Sequence, residues 1–378
     1  MELDTTKKRK MDLEESIEKQ YKAMMDLKES VGNQNDIVLR LTQHVIATTS
    51  RKTSNLVFSP ALINVILSII AASSPGDTDT ADKIVSLLQA SSTDKLNAVS
   101  SEIVTTVLAD STASGGPTIS AANGFWIEKT LYVKPSFKDL LLYSYKATFN
   151  RVDFRTKADE VNREVNSWVE KQTNGLITNL LPSNPKSAPL TDHIFANVLF
   201  FNGRWDSQFD PSLTKDSDFH LLDGTKVRVP FMTGASCRYT HVYEGFKVIN
   251  LQYRRGREDS PSTRGFLKDN EVLPSHSAVI KELKIPRFKF DFAFEASEAL
   301  KGFGLVVPLS MIMHKSCIEV DEVGSKAAAA AAFRGIGCRR PPPEKHDFVA
   351  DHPFLFIVKE YRSGLVLFLG QVMDPSKH

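Results

Sequence analysis

The chain holds 378 residues, 42% hydrophobic and 24% charged, with a formal net charge of +2. That is the profile of a globular protein with one large core, and it supplies no basic field for nucleic acid and no apolar run long enough for a membrane span. Twenty-three phenylalanines against three tryptophans favour packing, since a buried Phe leaves no polar atom to satisfy.

Residues 1–30 mix both charge signs and include Lys7-Lys8-Arg9-Lys10. They read as a charged extension without the apolar centre of a signal peptide, and the basic run has the composition of a nuclear import signal. From Val31 to about Ile46 apolar residues recur at helical spacing, and Asn55 to Phe58 reads as a short buried strand. Ser59-Pro60 opens a helix, Ala61 to Ala72, that is apolar on every side and therefore central to a core. Strand-like stretches at Ile119 to Ile127 and Tyr145 to Phe154 flank a helix near Ser136 to Tyr143. Val161 to Lys171 is amphipathic and is stopped by Asn174-Gly175. His193 to Phe201 is a buried strand unbroken by charge. Further strands are expected at Val227 to Met232, Tyr239 to Val242, Val248 to Tyr253 and Leu283 to Phe292. Phe354 to Lys359 and Leu365 to Val372 form a closing hairpin. Helices come mainly first and strands later, an α+β order, with 31–378 as one domain.

Catalytic and metal motifs are absent. The sequence contains no phosphate loop, HExxH helix or GxSxG elbow, so no enzyme, cofactor or metal is expected. Cys237, Cys317 and Cys338 are too few and too scattered for a disulfide framework, and no Asn-x-Ser/Thr acceptor occurs. A reducing compartment, cytosol or nucleus, is the expected location. Cys338 lies beside Arg339 and Arg340, which would lower its thiol pKa.

The most informative stretch is Ile318 to Lys326 (IEVDEVGSK) followed by six alanines, Ala327 to Ala332. It resembles the reactive-loop hinge of serpins. Four other stretches are similar to that family in its order: Asn55 to Pro60, Asn166 to Pro182, Ile194 to Trp205 and Asp351 to Pro375. Asp347 to Phe354 (DFVADHPF) is similar to the plant branch.

The resemblance implies an α+β serpin fold, with N-terminal helices on three mainly antiparallel sheets and an exposed reactive loop at about 322–343. It implies a monomer that acts as a suicide substrate for a serine or papain-like cysteine protease, the cut loop entering the main sheet as a new strand. Entry demands small side chains, because close-packed interiors admit little extra volume. Strand alternation places Ser325, Ala327, Ala329 and Ala331 on one face, with Glu322 and Gly324 starting the hinge. The family's spacing from Gly324 puts the scissile residue at Cys338, and a loop one residue short puts it at Arg339, which suits an acidic specificity pocket. Ser59, Asn197 and His314 fit the latch of the main sheet, and Trp205 the place where the loop first enters.

The sequence departs from the family in four places, one of them Val323, which replaces the more usual charged residue before Gly324. Leu62 stands where relatives have a second latch serine. Stretches near 254–278 and 308–311 look shortened, the first by a strand. Three functions follow: an inhibitor, a non-inhibitory serpin-fold protein that is cleaved or binds a partner, and a nuclear interaction protein using the basic arm.

Overall fold

The computed structural model describes residues 25–38, 40–47, 54–73, 78–182, 191–254, 277–324 and 345–377. Helix α1 runs over 25–38 and again over 40–47. It begins inside the expected extension, because Leu27 and Val31 are both buried in the main core. Strand β1 (Leu56–Phe58) leads into α2 (Pro60–Ser73), buried from Pro60 to Ala71 as its all-round apolarity requires. Helices α3 (Thr78–Leu87) and α4 (Thr93–Glu102) pack beside it, α4 capped by the Ser92 hydroxyl, which accepts from the Lys95 N–H.

Next come β2 (Thr118–Glu128), α5 (Pro135–Asp139), β3 (Thr148–Val152), α6 (Ala158–Gln172) and β4 (His193–Asn202). The later strands are β5 (Lys215–His220), β6 (Lys226–Tyr243), β7 (Phe246–Asn250), β8 (Ser277–Pro286) and β9 (Phe288–Glu295). Helix α7 (Ser297–Lys301), β10 (Ser310–Val320), β11 (Lys345–Val349), β12 (Phe354–Lys359) and β13 (Val366–Val372) complete the described chain.

Three sheets result. The main one has the order β3-β2-β4-β10-β9, the second β11-β8-β6-β5 with β7 on β6, and the third β1-β13-β12. Within the main sheet β4 and β10 run parallel, from Ser310↔His193 to Cys317↔Phe200. Period-two alternation divides β4: Phe195, Leu199 and Phe201 enter the main core, while Ile194, Ala196, Val198 and Phe200 face a second core. That second core is roofed by Val161, Val165, Trp168 and Val169 of α6. Trp168 meets Trp126 edge to face at 5.0 Å, and its Nε1 donates to Thr148 Oγ1 at 2.9 Å. After α6, Asn174 and Gly175 both take positive φ (50° and 78°), which stops the helix as expected.

Some boundaries differ from the sequence reading. Leu283 to Phe292, expected as one strand, is two: β8 ends at Pro286, which has no N–H to continue a ladder, and β9 joins a different sheet. The strand expected over Tyr145 to Phe154 is shorter, because Leu140–Ser144 and Tyr145 complete a wide helical turn. The strand expected over Val248 to Tyr253 ends at Asn250, and Tyr253 makes only an isolated bridge to Trp205. Among the described residues the main sheet has five strands, and the shortening expected near 254–278 falls mostly outside the described residues. In the third sheet β12 is an edge strand, with Leu355 69% and Ile357 58% exposed.

Candidate functional site

The parallel seam between β4 and β10 is fastened at mid-height by a buried polar cluster. Ser59, Asn197, His314 and Ser316 are all fully buried. His314 Nδ1 lies 2.5 Å from Asn197 Oδ1, and Asn197 Nδ2 donates to the Leu62 carbonyl at 2.7 Å. On the other side of the ring, Nε2 accepts from the Ser59 N–H at 2.9 Å and from the Ser316 hydroxyl at 2.9 Å. Asn197 uses its NH₂ on Leu62, so its oxygen must accept, and His314 is neutral with its proton on Nδ1. Burial agrees, pushing the imidazole pKa down to about 3. The cluster ties both strands of the seam to the β1–α2 corner. Leu62 contributes its backbone carbonyl to the cluster.

At the top of the seam β10 turns at Asp321. Its carboxylate accepts from the N–H groups of Val323 (2.9 Å) and Gly324 (3.0 Å), and its own N–H donates to the Gly324 carbonyl at 2.8 Å. Burial nevertheless pushes the Asp321 carboxyl pKa up. Trp205 is the anchor: its Nε1 donates to the Asp321 carbonyl and its N–H to the Val323 carbonyl, each at 2.8 Å. The indole stacks on Tyr253 at 4.4 Å. Glu322 is buried, accepts from the Thr214 hydroxyl at 2.7 Å and lies 3.6 Å from Arg287 Nε.

Gly324 forms an isolated antiparallel bridge with Arg204. A β-carbon there would stand 1.9 Å from the Gly203 carbonyl oxygen, at φ 154°, so only glycine lets the chain leave here. A strand entering this seam antiparallel to β4 and β10 would exchange one parallel ladder for two antiparallel ones, the more stable kind.

The structure thus brings Ser59, Asn197 and His314 together, and gathers Glu322, Gly324 and Trp205 at the top. Ser325, Ala327, Ala329, Ala331, Cys338 and Arg339 lie outside the described residues, as does Lys7 to Lys10. Sequence reasoning missed four partners: Asp321, Thr214, Tyr253 and Ser316. The last was detectable, because it sits two residues from His314 on the same strand face. It also missed Lys315 on the opposite face, a buried lysine whose Nζ donates to the Thr178 carbonyl at 2.8 Å and lies 2.5 Å from Asp291 Oδ2. Buried Cys317 is unreactive by environment, its thiol pushed up to about 11 by burial.

Three sheets, a roofing helix and a latched parallel seam with a glycine hinge at its top are the architecture of a serpin. A family profile described as Serpin (serine protease inhibitor) matches residues 32–375. Serpin-ZX of Arabidopsis thaliana is 48% identical over 389 aligned residues, covering 90% of this chain and 97% of that relative. The probable non-inhibitory serpin-Z5 of the same plant is 42% identical, covering 91% of this chain and 84% of that one. The solved structure of Arabidopsis AtSerpin1 in its native stressed conformation superposes with a TM-score of 0.79 at 46% identity, covering 93% of this chain and 99% of that chain. The chain belongs to the serpin family, and serpins are protease inhibitors, not enzymes.

Proposed function

We propose that this protein is a suicide-substrate inhibitor of an endopeptidase. A protease would cut the loop near Cys338 or Arg339, and the loop from Ser325 to Ala332 would then enter between β4 and β10. The observation that carries this reading is the pairing of a latched parallel seam with a glycine at its top that bridges antiparallel to Arg204. Small side chains at Ser325, Ala327, Ala329 and Ala331 suit entry, and the arginine pair suits a protease with an acidic pocket. The site of action is the cytosol or nucleus, the latter through Lys7 to Lys10.

The direct test incubates the purified chain with an Arg-specific serine protease and looks for a covalent complex that survives denaturing gel electrophoresis. The complex is expected, and Arg339→Ala should move or abolish the cut. Cleavage without complex overturns inhibition and favours a second reading, a non-inhibitory substrate or binding protein. Two observations speak for that second reading: the exposed Leu355 and Ile357 on edge strand β12, and the 42% identity to a probable non-inhibitory relative. Fusing residues 1–30 to a reporter tests import, and exclusion from the nucleus removes it.

A further inference from the structure

The stretch ahead of β10 ends in a left-handed residue at the foot of the seam. Leu309 takes φ 53°, the left-handed region that a branched side chain rarely occupies. In that conformation its carbonyl accepts two N–H groups from the other side, Asp192 at 2.7 Å and His193 at 3.2 Å. One residue on, the Ser310 hydroxyl lies 3.3 Å from His193 Nδ1 and 3.1 Å from the Pro308 carbonyl. The foot of β4 is held from behind as well: Asp192 forms an ion pair with Arg155, which also donates to the Thr191 carbonyl. On the β10 side the Ala296 N–H donates to the Ile312 carbonyl at 2.7 Å, and Leu305 N–H to that of Leu300 at 3.2 Å. The eight residues 302–309 therefore span two pinned ends, and Leu309 absorbs the bend.

We infer that Leu309, Ser310 and His193 form a foot clamp that sets how fast a strand enters the main sheet to full depth. The inference rests on the loop-entry reading above. A strand entering between β4 and β10 must move them from about 4.8 Å apart to about twice that, so every direct bond across the seam breaks. Opening the His314 latch frees the rungs from His314 up to Cys317. The rungs from Ser310 to Met313 stay closed until Leu309 releases Asp192 and His193. Because the clamp depends on a left-handed leucine, it is tunable at one position: glycine relaxes it in place, and a β-branched residue strains it further.

The experiment measures incorporation of a synthetic peptide with the sequence of residues 325–337 into the full chain, followed by native gel electrophoresis. Leu309→Gly is expected to slow incorporation about fivefold, and Leu309→Val and Ser310→Ala to speed it by a similar factor. Val229→Ala, in the separate Phe219–Val229–Phe231 cluster, lowers the melting temperature and serves as a control that leaves the rate unchanged. Incorporation at one common rate in all Leu309 and Ser310 variants overturns the clamp and leaves the insertion reading standing. A Val229→Ala effect as large as that of Leu309→Val also overturns it, since the rate then follows stability alone. No incorporation in any variant overturns the clamp together with the insertion reading.

Discussion

His314 and Asn197 join the two parallel strands of the main sheet through one hydrogen bond, Nδ1 to Oδ1, at a point where both side chains are sealed from water. Cutting Asn197 to alanine strands the buried His314 Nδ1–H and removes a second bond from the Leu62 carbonyl, which helix α2 still satisfies. A buried unsatisfied group costs about 1–3 kcal/mol. Asn197→Ala should therefore lower unfolding stability by about 1–3 kcal/mol, measured from urea midpoints. A loss below about 0.5 kcal/mol would mean that water or a neighbour replaces the latch.

The same imidazole gives a pH dependence with a definite sign. Its folded pKa of about 3 lies below the unfolded value near 6.5, so the unfolded chain binds the extra proton between those limits. The latch contribution is complete above about pH 6.5 and is lost as pH falls toward 3, at no more than about 1.4 kcal/mol per pH unit. Protonation would also set an N–H on Nε2 against the Ser59 N–H. His314→Gln should be less stable than the parent at pH 7.5, with a flatter stability profile between pH 6.5 and 5. Parallel profiles would place the proton elsewhere.

Gly324→Ala tests the hinge. Its β-carbon cannot coexist with the Gly203 carbonyl, so the Arg204 bridge must open, at about 1–3 kcal/mol. Hydrogen exchange should speed up at Trp205 and Phe209, whose N–H groups donate to Val323 and Glu322. Unchanged exchange at both would show that the top of the seam does not depend on this close approach.

Much of this was legible beforehand, for reasons that lie in particular residues. The apolar runs of α2 and β4 announce elements buried on both sides, and Asn174-Gly175 announces a stop. The cluster of Ser59, Asn197 and His314 was readable through resemblance, whereas the small-residue hinge from Ser325 to Ala331 lies outside the described residues. What stayed hidden was set by tertiary contact. No local pattern tells that Glu322 finds Thr214 and Arg287, that Tyr253 stacks on Trp205, or that Pro286 divides one apolar run between two sheets. The stretch before β10 drew attention as a gap in the resemblance, but the left-handed Leu309 is a backbone angle, which sequence spacing does not carry.

Glu322→Lys probes the top of the seam by charge. The buried carboxylate holds Thr214 and faces Arg287, which is half exposed and so screened. Reversal places two cations together in a buried corner, and a loss of about 2 kcal/mol is expected from melting curves at low salt, smaller at high salt. Glu322→Gln, which keeps an acceptor for Thr214, should lose less than half of that. Equal losses would make the negative charge of Glu322, rather than repulsion between two cations, the working part.

Loop entry itself is tested most directly by melting the chain before and after a single cut near Cys338 or Arg339. If the cut loop enters between β4 and β10, two antiparallel ladders replace the one parallel seam, and the melting temperature should rise by about 10 °C or more. A cut chain that melts at or below the temperature of the intact one would contradict the account, because a severed loop that stays outside the sheet adds no strand.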